Sequence, residues 1–185
     1  MASVPERSEL DDADTWNLES IYASDEDWEA AFEDAQAAVA ELDEYDETDV
    51  TDATALLDLL ELRDDTMRTV SQVVTYARLR SDEDTRDQDY QAMKGRAQTL
   101  AAEARSAASF LEPAIQQWDR DDLEALIADE PGLEPYEFHL EDVLRMKPHT
   151  RSPEVEELLA DLSEVTGAPG DIYQLLANAD MEFPT

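Results

Sequence analysis

Between residues 51 and 80, Leu56, Leu60, Arg63, Met67, Val70, Val74 and Ala77 follow one another at steps of four and three without a slip. That spacing keeps side chains on one face of an α-helix, whereas a strand turns every second residue to the opposite side. It predicts a long helix with a coiled-coil-like seam, interrupted once by Arg63. Asp64 and Arg68 are spaced for an i,i+4 ion pair on its surface. A polar break follows at Ser81, Asp82, Glu83, Asp84 and Thr85, after which Tyr90, Met93, Ala97, Leu100, Ala104 and Leu111 repeat the step. Alanines at 97, 101, 104 and 108 let a neighbouring helix come close. Two long helices joined by a short polar turn predict an antiparallel hairpin.

The remaining segments read as helices too. Ser24, followed by Asp25, Glu26 and Asp27, offers a capping hydroxyl and negative charge at a helix start. Trp28, Phe32 (or Ala31), Ala35, Val39 and Leu42 then form one apolar stripe. Trp16, Asn17, Leu18, Ile21 and Tyr22 make a short apolar island that would pin the N-terminus to a core. Glu112–Pro113 would end the second hairpin helix, because the residue before proline avoids the α region. Short helices are expected over 121–129, with Leu123, Leu126 and Ile127 inward, and over 133–146. The latter presents Phe138 (or Tyr136), Leu140, Val143 and Leu144, pairs Glu141 with Arg145 and stops at Pro148. Two more follow, from Ser152–Pro153 to Gly167 and over 169–179. The reading is an all-α, multi-helix bundle built on the hairpin. Its parts are an N-terminal anchor (1–23), a hairpin and bundle (24–111) and a short-helix subdomain packing on it (112–185).

Charge narrows the function classes. Asp and Glu number 48 against 13 Lys and Arg, a formal net charge of -35. The acids are spread along the whole chain and interleaved with apolar helix positions. Repulsion on this scale strains a compact state in dilute salt but is screened at about 1 M, where the Debye length is near 3 Å. The composition therefore suggests a protein of a halophile. It also leaves no basic footprint for nucleic acid. No cysteine is present, which removes disulfides and thiol chemistry, and the longest uncharged run, 69–77, is far short of a membrane span of about 20 residues. The N-terminus lacks the basic and apolar regions of a signal peptide, so a cytoplasmic protein without membrane or nucleic-acid partners is expected.

Candidate chemistry is sparse. Both histidines and one of the two lysines fall within 136–151, and 145–151 is the sole seven-residue window with three bases (Arg145, Lys147 and Arg151) and no acid. Zinc hydrolysis on a helix needs two histidines four residues apart with a glutamate between them. His139 is followed by Leu140, Glu141, Asp142 and Val143, while His149 lies beyond Pro148, so neither is expected to bind metal. No nucleophile elbow or phosphate-cradling glycine loop occurs, and 82–90 lacks the glycine and closing glutamate of a calcium loop. The basic window would neutralise the negative end of a helix, or dock on an acidic surface.

Several segments in order resemble the N-terminal region of oligoendopeptidase F and its relatives, zinc metallopeptidases that cleave short peptides. They are TWNLESIYASDEDWE, TYARLRSDEDTRDQDYQAMKGRA, SFLEPAI, LEPYEFHLEDVLRMKPHTRSPEVEELLA and GAPGDIYQLLANADMEFPT. Arg151 departs from the family, which more often has an apolar residue after the His-Thr pair. The resemblance implies helices forming one wall of a deep substrate channel. The zinc-binding His-Glu-x-x-His helix, the third ligand and the catalytic glutamate lie far downstream in such enzymes. None of those motifs occurs in these 185 residues, so no catalytic, cofactor-binding or metal-binding residue carries over and the chain is expected to be inactive alone. The expected partner is the catalytic domain of the same enzyme or a second copy, with peptide substrate only in the full-length context. Arg145, Lys147 and Arg151 would form the docking edge. The alternative is a stand-alone acidic helical interaction module.

Overall fold

The computed structural model describes residues 10–11, 14–85 and 87–149. These contain six α-helices, linked by short 3-10 turns, and no strand. The chain divides into two compact units, Met1–Leu144 and Arg145–Thr185. The helices expected over 152–167 and 169–179 lie outside the described residues.

Helix α1 (Asp25–Leu42) begins where the sequence signals it. Ser24 is extended, its Oγ accepts the Asp27 N–H at 3.1 Å, and three acids occupy the first turn. Trp28, Phe32, Ala35, Val39 and Leu42 are its buried residues, the expected stripe. Before it, a 3-10 turn (Leu18–Ser20) buries Leu18, and Tyr22 meets Tyr76 edge to face at 5.4 Å. Of the apolar island at 16–22, Leu18 is buried and Ile21 and Tyr22 are half-buried. Trp16 remains 52% exposed.

Helix α2 (Ala53–Glu83) and helix α3 (Gln88–Ala107) form the hairpin, with Asp52 and Asp87 as side-chain caps. The chain reverses between them, where Gln91 Nε2 donates to Ser81 Oγ at 2.9 Å. Helices α1, α2 and α3 pack mutually. The buried set on α2 is accordingly broader than the predicted seam: Leu59, Thr66, Val73 and Tyr76 are buried beside Leu56, Leu60, Val70 and Ala77, while Arg63, Met67 and Val74 are half-buried at its margins. A helix contacted from two sides buries more than one stripe. The Asp64–Arg68 pair is replaced by Arg68–Asp65 at 2.5 Å and Arg63–Asp64 at 2.7 Å. Ala97 and Ala104 are buried on α3 as expected, and Ala107 joins them.

Helix α3 ends at Ala107, earlier than Glu112–Pro113 suggested, and a 3-10 turn leads into helix α4 (Leu111–Ile115). Pro113 sits in the first turn of α4, where its missing N–H costs no hydrogen bond, so Glu112 is helical after all. Helix α5 (Arg120–Asp129) carries a capping box between Asp119 and Asp122. The helix expected from residue 133 is instead a 3-10 segment (Pro131–Tyr136), continued by helix α6 (Glu137–Met146). Pro131 and Pro135 each remove a donor, which keeps an α-helix from closing until Glu137. Of the two alternatives for its apolar face, Tyr136 turns inward and Phe138 is 79% exposed.

Two buried clusters result within the first unit. One joins α1, the C-terminal half of α2 and α3; the other joins the N-terminal part of α2 with Ile115, Leu123, Leu133, Leu140 and Val143. Helix α2 is thus the common spine of both. Each fully buried Leu or Val contributes about 1.5–3 kcal/mol relative to exposure. Among the described residues no helix is long and apolar enough to cross a membrane.

Candidate functional site

A polar seam of the first unit lies between α2 and α6. Arg63, whose place in the predicted seam looked like an interruption, is held there by its neighbour Asp64 and by His139 on α6. Its Nε and Nη2 donate to Asp64 Oδ1 at 2.9 and 2.7 Å, and its Nη1 lies 3.0 Å from Nε2 of His139. A guanidinium can only donate, so His139 Nε2 accepts and its proton sits on Nδ1. Burial, and next the Arg63 charge, hold this imidazole below the usual histidine value of 6.5. Tyr136 borders the same seam, where burial and then the Asp64 carboxylate raise its phenol pKa.

A second cluster ties the hairpin to the start of α1. Tyr76 donates to Asp25 Oδ1 at 2.7 Å, Arg80 Nε donates to the Tyr76 hydroxyl at 3.0 Å, and Tyr90 donates to Asp25 Oδ2 at 3.3 Å. The Arg80 guanidinium stacks over Tyr76 and Tyr90 at 5.2 and 5.6 Å. Burial and the Asp25 bond push the Tyr76 phenol up to about 12. This cluster joins three helices. Its residues come from positions 51 and 65 apart in sequence, so no local motif announced it.

Of the residues singled out in the sequence, Arg145 and Lys147 are exposed, Arg145 in the last turn of α6 and Lys147 in the 3-10 turn after it. Arg151 and the His149 side chain lie outside the described residues. His139 is half-buried and committed to Arg63, which leaves no free lone pair on Nε2 for a metal and places a fixed positive charge beside it. Among the described residues no three His, Cys, Asp or Glu side chains gather as a ligand set.

Comparison with known proteins is consistent across sequence and fold. The Oligopeptidase F family profile matches residues 115–183. The chain is 35% identical over 182 residues to oligopeptidase PepF of Bacillus subtilis, covering 98% of this chain and 27% of that protein. It is 32% identical over 178 residues to group B oligopeptidase PepB of Streptococcus agalactiae, covering 96% of this chain and 30% of that protein. The crystal structure of oligoendopeptidase-F from Enterococcus faecium superposes with a TM-score of 0.70 at 30% identity, over 87% of this chain and 31% of that one. The chain therefore spans less than a third of the length of these relatives. With its all-α fold and near-complete coverage by their sequences, it corresponds to the N-terminal region of oligopeptidase F-type proteins.

Proposed function

We propose that this domain is one wall of the substrate channel of a zinc-dependent oligoendopeptidase acting on short peptides, and that it has no turnover by itself. The observation that carries this reading is the match of nearly the whole chain to about three tenths of each relative, together with the lack of a His-Glu-x-x-His motif in its 185 residues. In this reading residues 1–23 anchor the N-terminus, 24–111 form the scaffold and 112–185 carry the contact edge toward the catalytic part. Purified protein incubated with a quenched fluorescent peptide should release no chelator-sensitive signal. Turnover that EDTA abolishes and zinc restores would overturn the proposal.

Arg145, Lys147 and Arg151 form the docking edge in this scheme, facing an acidic surface of the catalytic part. Reversing two of these charges, Arg145→Glu with Lys147→Glu, should weaken association with a separately expressed catalytic segment, most strongly at the lowest KCl that preserves the fold. Unchanged binding would leave these bases only the role of countering a helix end. The charge distribution further supports a cytoplasm of molar salt as the working environment. A stand-alone interaction module becomes the better reading only if the protein is a stable monomer that ignores the catalytic segment altogether.

A further inference from the structure

We propose that the Arg63–His139 pair is an acid-sensitive latch that holds α6 on α2. The two side chains are 76 residues apart in sequence and meet at 3.0 Å in a half-buried seam. The bond exists in one protonation state only. With Nε2 accepting, the imidazole is neutral. Protonation replaces the acceptor with a second cation against a guanidinium that cannot give up its own proton.

The other charged groups near the ring pull in the opposite direction. Asp64 on α2, Glu112 on α4 and Asp142 on α6 favour the imidazolium, while burial and Arg63 oppose it. Asp64 is already engaged by two Arg63 donors, so its charge is largely shared with the guanidinium. The balance keeps the imidazole neutral at pH 7. Leu140 and Val143, which bury the adjacent face of α6, pack in one cluster with Leu56 and Leu60 of α2. Loosening the latch therefore acts directly on the contacts that seat α6.

The sign of the pH dependence follows from the lowered imidazole pKa. The latch contributes its full stabilisation above the unfolded value near 6.5, and loses it as pH falls through the lower folded value. The chain has only two histidines, so nitrogen-detected NMR resolves the site, and His139→Gln assigns it by removing one signal. His139 should titrate below 6.5 and carry its proton on Nδ1 at neutral pH. Hydrogen-exchange protection of α6, corrected for the intrinsic rate, should fall between pH 7.5 and 5. The expected loss is roughly tenfold for each unit by which His139 titrates below the unfolded value. His139→Gln, which keeps an acceptor without a titratable ring, should hold α6 protection level across that range. Arg63→Met should return the His139 titration toward 6.5. Titration of His139 at 6.5 or above in the wild-type protein, or equal acid loosening of α6 in wild type and His139→Gln, would overturn the latch.

Discussion

Replacing Trp28 with alanine should cost about 3–5 kcal/mol, the range found when a large buried aromatic is truncated. Trp28 is fully buried on α1, and its indole Nε1 donates to the Val73 carbonyl on α2 at 2.9 Å. Phe32 lies 5.2 Å away, and the Arg96 guanidinium of α3 stacks over Trp28 at 5.4 Å and Phe32 at 4.4 Å. One side chain thus makes contacts from all three helices of the first cluster. Removing it opens a cavity where α1, α2 and α3 meet. Against a typical total stability of about 5–15 kcal/mol, such a loss leaves a marginal protein. Urea unfolding in molar KCl measures it directly, with a drop in Tm of roughly 10 °C as a second readout. Trp28→Phe keeps much of the volume and loses the indole donor, so its cost should be clearly smaller. A loss below about 1 kcal/mol for Trp28→Ala would mean that α1 is not seated by this residue.

Transfer from molar to millimolar KCl should abolish most of the helical circular dichroism at 222 nm, and restoring the salt should bring it back. Helix α1 alone carries seven acids and no base. Its links to cations elsewhere include Arg96 with Glu29 and Arg80 with Asp25. Arg96 binds both Glu29 oxygens, and this bond and charge hold the Glu29 carboxyl below its usual pKa. Two such bridges leave most of the helix's charge uncompensated. At about 1 M salt a Debye length near 3 Å confines each carboxylate's field to its neighbourhood, whereas at 0.01 M it reaches about 30 Å, more than the combined diameter of two helices of about 10–12 Å each. Repulsion then acts between every acidic helix and the next. Full helicity retained at millimolar KCl would refute the halophilic reading of the composition.

Salt sensitivity and the cost of losing Trp28 have different physical origins. Salt sensitivity comes from composition alone, because long-range repulsion sums over charges wherever they fall. The cost of losing Trp28 depends on tertiary contacts. Its apolar stripe could be read from spacing, but nothing local to α1 names Val73 or Arg96 as its neighbours.

The same division runs through the rest of the chain. Among the described residues, helix existence was legible where apolar residues recurred at 3.6-residue spacing, and Ser24 marked the start of α1 by chemistry acting within one turn. Local rules failed where two answers shared the same pattern. Both Phe138 and Tyr136 suit an apolar face, yet Tyr136 packs on α2 and Phe138 points outward. Arg68 had acids at two permitted spacings, and side-chain geometry selected Asp65 over Asp64. Pro113 proved compatible with helix because α4 starts just before it.

The polar seam was the least legible part. The bond of His139 to Arg63 depends on how α6 crosses α2, which motif spacing does not specify. The Asp25–Tyr76–Arg80–Tyr90 cluster likewise depends on three helices converging. What the sequence by itself determined is the helical class, the hairpin, the likeness to oligopeptidase F and the acidic surface, because each rests on short-range periodicity, ordered motifs or summed charge. What only the tertiary structure decided is which margin of each stripe is buried and which of many acids each arginine takes. Those choices are made by helix crossings between residues distant in sequence, where a few ångströms select one partner among several that spacing treats as equal.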